Sequence, residues 1–288
     1  MVDFPSKRAT PLPPDDELER SNAQARSTWE RKAVGSQRAN ASAGTRDYFE
    51  QIRAYRYGYE TPFIPGFFDF TELAGKRILE IGVGNGIDAV EMLRNGARYT
   101  GVDITQNHLE LTRRYMEIVE QEITGEVEAL IEGDLLHAKM AGNYDVVYSF
   151  GVLHHIAHEN DYLHRIRELL QPDGELRIAV YSKYSFFNVW MVATWVFQNG
   201  MRNPLDDWRS HVAEGSNLGD PVVIKIRSRA EIQELLEKNG FEVIRYGRKG
   251  FVQGYLPGIG CFLKPDGIVL NAFAHILGWY HCFVCRRS

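Results

Sequence analysis

Cysteine is scarce in this sequence, which contains only three among 288 residues. A small, odd number of cysteines favours a reducing compartment over a disulfide framework. Cys282 and Cys285 have the C-x-x-C spacing of metal and redox sites. Their neighbours are typical of a β-strand, in which residues three apart point to opposite faces and cannot both bind one metal. We therefore predict neither a disulfide nor a metal site.

Basic residues form no run that would suggest a nucleic-acid partner. Lysine and arginine total 33 against 38 aspartates and glutamates, which gives a formal net charge of -5. Nucleic-acid binding normally requires a basic patch, so this charge argues against it. The first residues contain no apolar segment of the kind that a signal peptide needs. We therefore expect a cytoplasmic protein that does not bind nucleic acid.

Long hydrophobic runs are limited to two places. Residues 186–197 would be apolar on nearly all sides of a helix, so we expect them to be buried in the domain, in a partner subunit or against an apolar ligand. Residues 267–285 lack charged side chains and have the length of a membrane span. Because Asn271, His275 and His281 interrupt this second run, we favour a final sheet strand. Peripheral membrane contact and a homo-oligomer stay open as alternatives.

Short apolar strands alternate with amphipathic helices from Arg77 onward. The predicted strands are 77–82, 98–103, 127–131, 144–150, 174–181, 241–248 and 278–286. This alternation is typical of an α/β protein with a mainly parallel sheet. The predicted fold is a Rossmann-like, seven-stranded, mainly parallel sheet with helices on both faces.

The composition divides the chain into three parts. Residues 1–20 are rich in proline and charge and are predicted to form a flexible tail. Residues 21–75, polar with periodic aromatics, are predicted to form a helical cover for the α/β domain at 76–288. Within that domain, segments 182–227 and 250–277 break the alternation. Extra segments after carboxyl-edge strands lie over the mouth where ligands bind, so we predict that these two form a lid.

A glycine loop at 82–86 follows the first predicted strand and precedes a helix. Gly82, Gly84 and Gly86 allow the backbone to turn sharply and to approach a ligand closely. A dinucleotide fingerprint has the spacing G-x-G-x-x-G/A, and its last position would fall here on the bulky Ile87. The spacing G-x-G-x-G instead favours a cofactor without a pyrophosphate, which places its amino-acid and sugar parts over the loop.

Acidic residues follow the next two predicted strands. Asp103 ends the second strand, where a carboxylate can accept both hydroxyls of a ribose, although it could also serve only as an acid at a helix N-terminus. Asp134 follows the third strand, where an acid can accept from an adenine amino group, although Asp after Gly is also ordinary turn chemistry. Together with their neighbours Ile104 and Leu135, these residues are candidates for cofactor binding.

These motifs resemble the class I S-adenosylmethionine-dependent methyltransferases, and more narrowly a bacterial group that acts on small molecules. The motifs that carry the resemblance are Ile-Leu-Glu-Ile-Gly-Val-Gly-Asn-Gly at 78–86, Gly-Val-Asp-Ile-Thr at 101–105, Gly-Asp at 133–134, Tyr-Asp-Val-Val-Tyr-Ser-Phe-Gly-Val-Leu-His-His at 144–155 and Leu-Gln-Pro-Asp-Gly-Glu-Leu at 170–176. The resemblance implies S-adenosylmethionine as cofactor, S-adenosylhomocysteine as its product, and a methyltransferase domain at 76–288. It says almost nothing about the acceptor.

The resemblance also implies cofactor contacts outside the glycine loop. The residues concerned are Glu80, Ser149, Phe150, Gly151, Tyr48 and Tyr57. Glu80 would place the methionine amino group, and the segment after the fourth strand would contribute backbone contacts to it. The two tyrosines belong to an N-terminal segment that would fold over the methionine end, with aromatic packing of a docking helix as the alternative. The sequence departs from the group at Ser182, where relatives often have a histidine, so no role of that histidine is assumed.

Two adjacent histidines, His154 and His155, follow the fourth predicted strand, beside the expected methyl group. Methyl transfer is an in-line displacement at a sulfonium, and it needs a base only if the acceptor must lose a proton. An imidazole with an ordinary pKa near ~6.5 could accept that proton. We predict that His155, or else His154, has this role; the alternative is that one caps the following helix or bonds a backbone carbonyl.

The sequence therefore predicts an enzyme that methylates a small molecule. The many aromatic residues at 181–197 favour an apolar acceptor, such as a prenylated, polyketide or lipid-like natural product. One competing hypothesis is a methyltransferase-like binding subunit without turnover. Another is a nicotinamide-dependent oxidoreductase, which the glycine spacing and the lack of a Tyr-x-x-x-Lys pair near a catalytic strand disfavour.

Overall fold

The computed structural model describes residues 16–31 and 33–288. Its helices are α1 (Asp16–Arg31), α2 (Arg46–Tyr55), α3 (Ile64–Phe67), α4 (Ile87–Arg94), α5 (Gln106–Ile118), α6 (Glu159–Leu169), α7 (Phe186–Phe197), α8 (Leu205–Glu214), α9 (Arg229–Lys238) and α10 (Ile268–Leu277). Its strands are β1 (Arg77–Ile81), β2 (Arg98–Asp103), β3 (Glu126–Glu132), β4 (Tyr144–Phe150), β5 (Leu170–Tyr181), β6 (Phe241–Lys249) and β7 (Tyr280–Arg287). All seven predicted strands are therefore present.

The predicted tail at 1–20 falls mainly outside the described residues. Its last five residues, 16–20, already belong to α1, so the tail prediction is wrong for them. Residues in the predicted cover at 21–75 form the rest of α1, then α2 and α3. Thr45 is the N-cap of α2: its side chain accepts a hydrogen bond from the backbone N–H of Tyr48, which satisfies one free donor of the first turn.

The strands form one sheet in the order β3-β2-β1-β4-β5-β7-β6. The first five strands pair in parallel, and β7 is antiparallel to both β5 and β6. From β1 the chain moves outward to β3 and then returns to place β4 on the other side of β1. In such sheets the crevice beyond the carboxyl ends of the strands at this switch point is the usual ligand site. The predicted fold class is confirmed.

Helices cover both faces of the sheet, as the nearly continuous apolar strands require. Along β1, Ile78 lies in one core cluster with residues of α2, α4 and α5, whereas Leu79 lies in a second cluster with residues of α6 and α9. The cysteines of β7 follow the same alternation, because Cys282 belongs to the first cluster and Cys285 to the second. Their side chains therefore lie on opposite faces of the strand, as predicted.

Strand β5 begins earlier than the predicted 174–181. Its first pair joins Leu170 to Tyr144, and the next joins Glu175 to Val146, so residues 171–174 form a bulge against the shorter partner strand. The Pro-Asp-Gly sequence at 172–174 is thus a turn inside the strand and not the connection before it. Gly174 fits there because a Cβ would lie 2.9 Å from the Tyr144 carbonyl oxygen. The predicted start is wrong because a turn signal can also mark a bulge.

The two predicted lid segments contain most of the exposed apolar side chains. Helices α7 and α8 lie within 182–227, and α10 lies within 250–277. Of the three places of burial expected for 186–197, the domain itself covers only one side of α7, since Val189 is 61% exposed and Phe197 is 85% exposed. The helix binds the fold through its other side, where Met191 and Thr194 are buried. Among the described residues, no helix is long and apolar enough to cross a membrane.

Candidate functional site

The glycine loop lies between β1 and α4, and all three of its glycines have positive φ angles: 79° at Gly82, 53° at Gly84 and 74° at Gly86. A Cβ on Gly82 would lie 2.4 Å from a Val152 methyl carbon, and one on Gly86 would lie 2.9 Å from Thr112. A Cβ on Gly84 would meet nothing within 4 Å. Two of these glycines therefore permit close packing, and the third leaves a backbone surface open to a ligand.

A cavity of about 280 Å³ lies beyond the carboxyl ends of β1, β2 and β4. Ten of the predicted site residues line it: Glu80, Gly82, Gly84, Asp103, Ile104, Asp134, Leu135, Phe150, Gly151 and His155. Five lie outside its wall: Tyr48, Tyr57, Gly86, Ser149 and His154. The structure thus brings together residues that the sequence separates by up to 75 positions.

Asp103 lies at the end of β2 and is buried. Its Oδ1 accepts from the backbone N–H of Thr105 at 2.9 Å, and its Oδ2 lies 3.2 Å from Nδ1 of His108 and 3.4 Å from the Gly84 nitrogen. Burial raises the pKa of this carboxyl, but hydrogen bonds from His108 and Thr105 outweigh it and hold the pKa below its ordinary value. An ionised carboxylate therefore faces the cavity and also supports the turn before α5.

Glu80 is a buried carboxyl at the end of β1, where the hydroxyl of Tyr99 donates to it at 2.5 Å. Burial and the neighbouring Asp88 raise the pKa of Glu80 well above its ordinary value. A cation bound beside Glu80 would counter both effects, because an opposite charge favours the ionised carboxylate. This position on the cavity wall is therefore suited to an ammonium group.

Asp88 on α4 is the centre of a buried polar network that the sequence did not predict. Arg56 donates two hydrogen bonds to its carboxylate, at 2.8 and 2.5 Å, and the hydroxyls of Tyr57 and Tyr148 donate at 2.7 and 2.8 Å. Burial raises the pKa of Asp88, but the Arg56 guanidinium and these hydrogen bonds lower it below its ordinary value. Arg56, rather than Tyr57, reaches the cavity wall.

The other predicted tyrosine, Tyr48, is buried in the first core cluster. Its hydroxyl lies 3.3 Å from Oδ1 of Asn85, a residue of the glycine loop that lines the cavity. Tyr48 and Tyr57 therefore support residues of the wall from behind.

Helix α1 closes the end of the cavity formed by Asp134 and Leu135. The Asn22 side chain donates to Asp134 Oδ2 at 3.2 Å, and Ala25 and Trp29 also line the wall. The second oxygen of Asp134 accepts from the backbone N–H of Leu136 at 2.8 Å, which is the turn chemistry foreseen as the alternative. One oxygen thus stabilises the turn, and the other faces the helical cover.

His155 also lines the cavity, in a short 3₁₀ turn (Leu153–His155) that follows β4, and its ring lies edge-on to Trp29 of α1 with 5.1 Å between ring centroids. Its Nδ1 lies 2.7 Å from the Val223 carbonyl oxygen, and since a carbonyl only accepts, Nδ1 carries a proton. Its Nε2 lies 3.7 Å from Oε1 of Glu214, at the end of α8. The Tyr181 hydroxyl donates to that same oxygen at 2.9 Å. His155 therefore presents Nε2 toward the cavity and Glu214.

His154 lies behind this wall and is only 1% exposed. Its ring stacks on Tyr181 with 3.7 Å between ring centroids. Burial and the neighbouring His155 lower the pKa of His154 well below its ordinary value, so its ring is neutral near neutral pH.

The two lid segments contribute unequally to the cavity. Ala213 and Glu214 line it from segment 182–227. Within the part of the chain that the structure describes, no residue of segment 250–277 lines it. The wall also contains Arg38, Tyr55, Glu60 and Tyr280, which were not predicted. No local motif marks Glu214, because only the fold brings α8 beside His155. Trp29 and Arg56 lie in the same N-terminal segment as Tyr48 and Tyr57, so the expected cover over the methionine end was the available signal for them.

Comparison with known proteins identifies a family. A family model described as a methyltransferase domain matches residues 50–246. The ubiquinone biosynthesis O-methyltransferase of Salmonella paratyphi A is 35% identical over 127 residues, which cover 44% of this chain and 48% of that protein. The mitochondrial ubiquinone biosynthesis O-methyltransferase of Schizosaccharomyces pombe is 31% identical over 110 residues, or 38% and 39% of the two chains. The chain thus spans about half the length, or less, of these curated relatives.

Solved structures share the fold. Magnesium protoporphyrin IX methyltransferase from Synechocystis PCC 6803, with bound S-adenosylhomocysteine, has a TM-score of 0.57 and 14% identity, covering 93% of this chain and 100% of that one. The 1,6-didemethyltoxoflavin-N1-methyltransferase of Burkholderia thailandensis, bound to 1,6-didemethyltoxoflavin and S-adenosylhomocysteine, has a TM-score of 0.55 and 15% identity, covering 100% and 98%. At these identities the likeness supports the fold alone.

Proposed function

The chain belongs to the methyltransferase domain family, and from that premise we propose that it transfers a methyl group from S-adenosylmethionine to a hydroxyl of a small, largely apolar acceptor. The observation that carries the proposal is one continuous cavity that is lined both by the open glycine loop and by His155. Such a cavity can hold two reactants in contact, which is the main requirement of a displacement reaction.

The cofactor lies over Gly84, where the backbone is open. Its ammonium group lies beside Glu80, which a neighbouring cation would stabilise in the ionised form. Its ribose hydroxyls donate to Asp103, and its adenine lies beside Asp134 and Leu135 under α1. Phe150 and Gly151 contact the methionine end, which points the methyl group toward His155.

The acceptor occupies the part of the cavity bounded by Trp29, Tyr181 and Tyr280. These aromatic side chains favour an apolar body, and the curated relatives are named for O-methylation in ubiquinone biosynthesis, which favours a hydroxyl as the methylated group. A prenylated, polyketide or lipid-like compound with one hydroxyl near His155 fits both observations.

The reaction needs a path for one proton. The acceptor O–H bond breaks, an oxygen electron pair forms the new O–CH₃ bond, and the S–CH₃ bonding pair returns to sulfur to give S-adenosylhomocysteine. The released proton passes to water, and His155 promotes this loss, because its Nδ1 is fixed on the Val223 carbonyl and its Nε2 faces the acceptor position. Trp29, Tyr181 and Tyr280 hold the acceptor so that its oxygen is aligned with the methyl group.

Turnover distinguishes an enzyme from a binding subunit. The purified chain is incubated with S-adenosylmethionine carrying a deuterated methyl group and with extracts enriched in apolar phenols or in polar amines. We expect S-adenosylhomocysteine to accumulate and the label to appear in a compound of the phenol fraction. Label only in the amine fraction would contradict the hydroxyl acceptor, and binding of the cofactor without turnover in any fraction would favour a non-catalytic subunit.

A further inference from the structure

Three side chains on the acceptor side of the cavity could share one ion. His154, His155 and Glu214 each offer a ligand atom, and these atoms lie within 4.8 Å of one another. The two histidines follow β4, and Glu214 ends α8, so two separate elements bring them together. Two imidazoles and one carboxylate are a common ligand set for first-row divalent metals.

His154 supplies an independent observation that points to a ligand. Neither of its ring nitrogens has a hydrogen-bond partner among residues 16–31 and 33–288, although the side chain is almost fully buried. Buried polar side chains normally have such a partner, and one that lacks it requires an explanation. A cation bound at one ring nitrogen would supply the missing interaction.

The surroundings of His155 also fit a metal ligand. Metal-binding histidines usually donate the N–H of their other ring nitrogen to a carbonyl or carboxylate, as Nδ1 of His155 does to Val223 at 2.7 Å. Its Nε2 and Oε1 of Glu214 are 3.7 Å apart, too far for a hydrogen bond. Donor atoms on one tetrahedral ion at ~2.1 Å would be about 3.4 Å apart, so only small side-chain movements are needed. A simple ion pair would account for His155 and Glu214 but not for His154.

We infer that His154, His155 and Glu214 bind one divalent transition-metal ion, of the zinc or cobalt class, with a coordination position open to the cavity. The inference rests on the proposed function and extends it, since an acceptor hydroxyl bound at that position would lose its proton to water more readily. His155 would then promote proton loss as a ligand. The acceptor class narrows to compounds whose methylated oxygen can bind a metal.

Cobalt(II) tests the site directly, because its visible absorption reports both binding and coordination. The full chain, treated with a chelator and dialysed, is titrated with Co²⁺ and then with Zn²⁺. We expect one equivalent to bind, with the intense visible bands of four- or five-coordinate cobalt that Zn²⁺ removes. The His154→Ala and Glu214→Gln variants should each bind at least about tenfold more weakly. His164→Ala, which removes an exposed histidine elsewhere, should bind as the wild type does.

Absence of cobalt binding by the wild type would overturn the inference, as would binding that survives in both His154→Ala and Glu214→Gln. The Glu214→Gln variant keeps the side-chain shape, and S-adenosylhomocysteine affinity serves as the check that each variant is folded. If the chelated protein binds S-adenosylhomocysteine and turns over fully without metal, the metal inference fails and the proposed function stands. If S-adenosylhomocysteine does not bind, the proposed function fails independently of any cobalt result.

Discussion

The two sides of the cavity differ in how the chain assembles them. On the cofactor side, Gly84 lies in the loop after β1 and Asp103 ends β2, and these two consecutive strands pair directly in the sheet. On the acceptor side, His155 and Glu214 are 59 residues apart and meet only through the packing of α8. The cofactor side is built from the shape of the backbone and an ionised carboxylate. The acceptor side is built from side chains, one of which lies on α8, in a segment that interrupts the alternation of strands and helices. Substitutions in α8 should therefore alter the choice of acceptor and have little effect on cofactor binding.

The largest expected effect is on the acceptor side. His155→Ala should lower kcat by about 10²–10⁴-fold, the range for losing a group that promotes proton transfer. The affinity for S-adenosylhomocysteine should stay within about twofold, because His155 is not among the predicted cofactor contacts. Steady-state kinetics and calorimetry measure the two quantities. An unchanged kcat would mean that alignment alone accounts for the rate, and a parallel loss of affinity would mean that the two sides are not separable.

Next in size is the buried network behind the cofactor side. Asp88→Asn should lower the free energy of unfolding by about 3–5 kcal/mol, because the Arg56 guanidinium loses its buried partner. Asp161→Asn, at an exposed carboxylate, should have almost no effect. Denaturant unfolding of both variants checks the difference. Equal stabilities would show that the network does not hold the segment after α2 against α4.

This network also predicts a pH dependence. The pKa of Asp88 is lower in the folded protein than its ordinary value, so its stabilising contribution is present above that ordinary value, near ~4, and is lost as the pH falls through the folded pKa. Asp88→Asn should therefore differ most from the wild type near neutral pH and approach it in acid. A difference that grows toward low pH would contradict the ionised state of Asp88.

A smaller effect is expected at the predicted ribose contact. Asp103→Ala should weaken S-adenosylhomocysteine binding by about 1–3 kcal/mol, since it removes hydrogen bonds to a charged acceptor. Because Asp103 also supports the turn before α5, the melting temperature is measured in parallel, with Thr105→Val as the control that removes a hydroxyl donor to Asp103 outside the cavity wall. Unchanged affinity would place the ribose elsewhere.

The smallest expected effects separate two glycines of one loop. Both have positive φ, so alanine strains either position by about 1 kcal/mol. Gly86→Ala should also clash with Thr112 and lower the melting temperature further, whereas Gly84→Ala should mainly weaken cofactor binding, because its methyl group would enter the open surface. Thermal unfolding and calorimetry distinguish the two. The reverse pattern would mean that the cofactor does not lie over Gly84.

The sequence was sufficient for most of the cofactor side because the relevant signals are local. Glu80 lies near the end of the first predicted strand and Asp103 at the end of the second, and the glycines must stand where the backbone turns. It was not sufficient for Asp88, whose helical position reads as an ordinary polar residue until Arg56 and Tyr148 surround it. Glu214 and the bulge at 171–174 were missed for the same reason, since each depends on long-range contacts that no local pattern records.

Calorimetric titration of the chain with S-adenosylhomocysteine and, separately, with NAD tests the central claim most directly. The account predicts one binding site for S-adenosylhomocysteine, weakened in Gly84→Ala and Asp103→Ala but not in His155→Ala, and no binding of NAD. Binding of NAD alone would contradict the claim that this cavity holds S-adenosylmethionine.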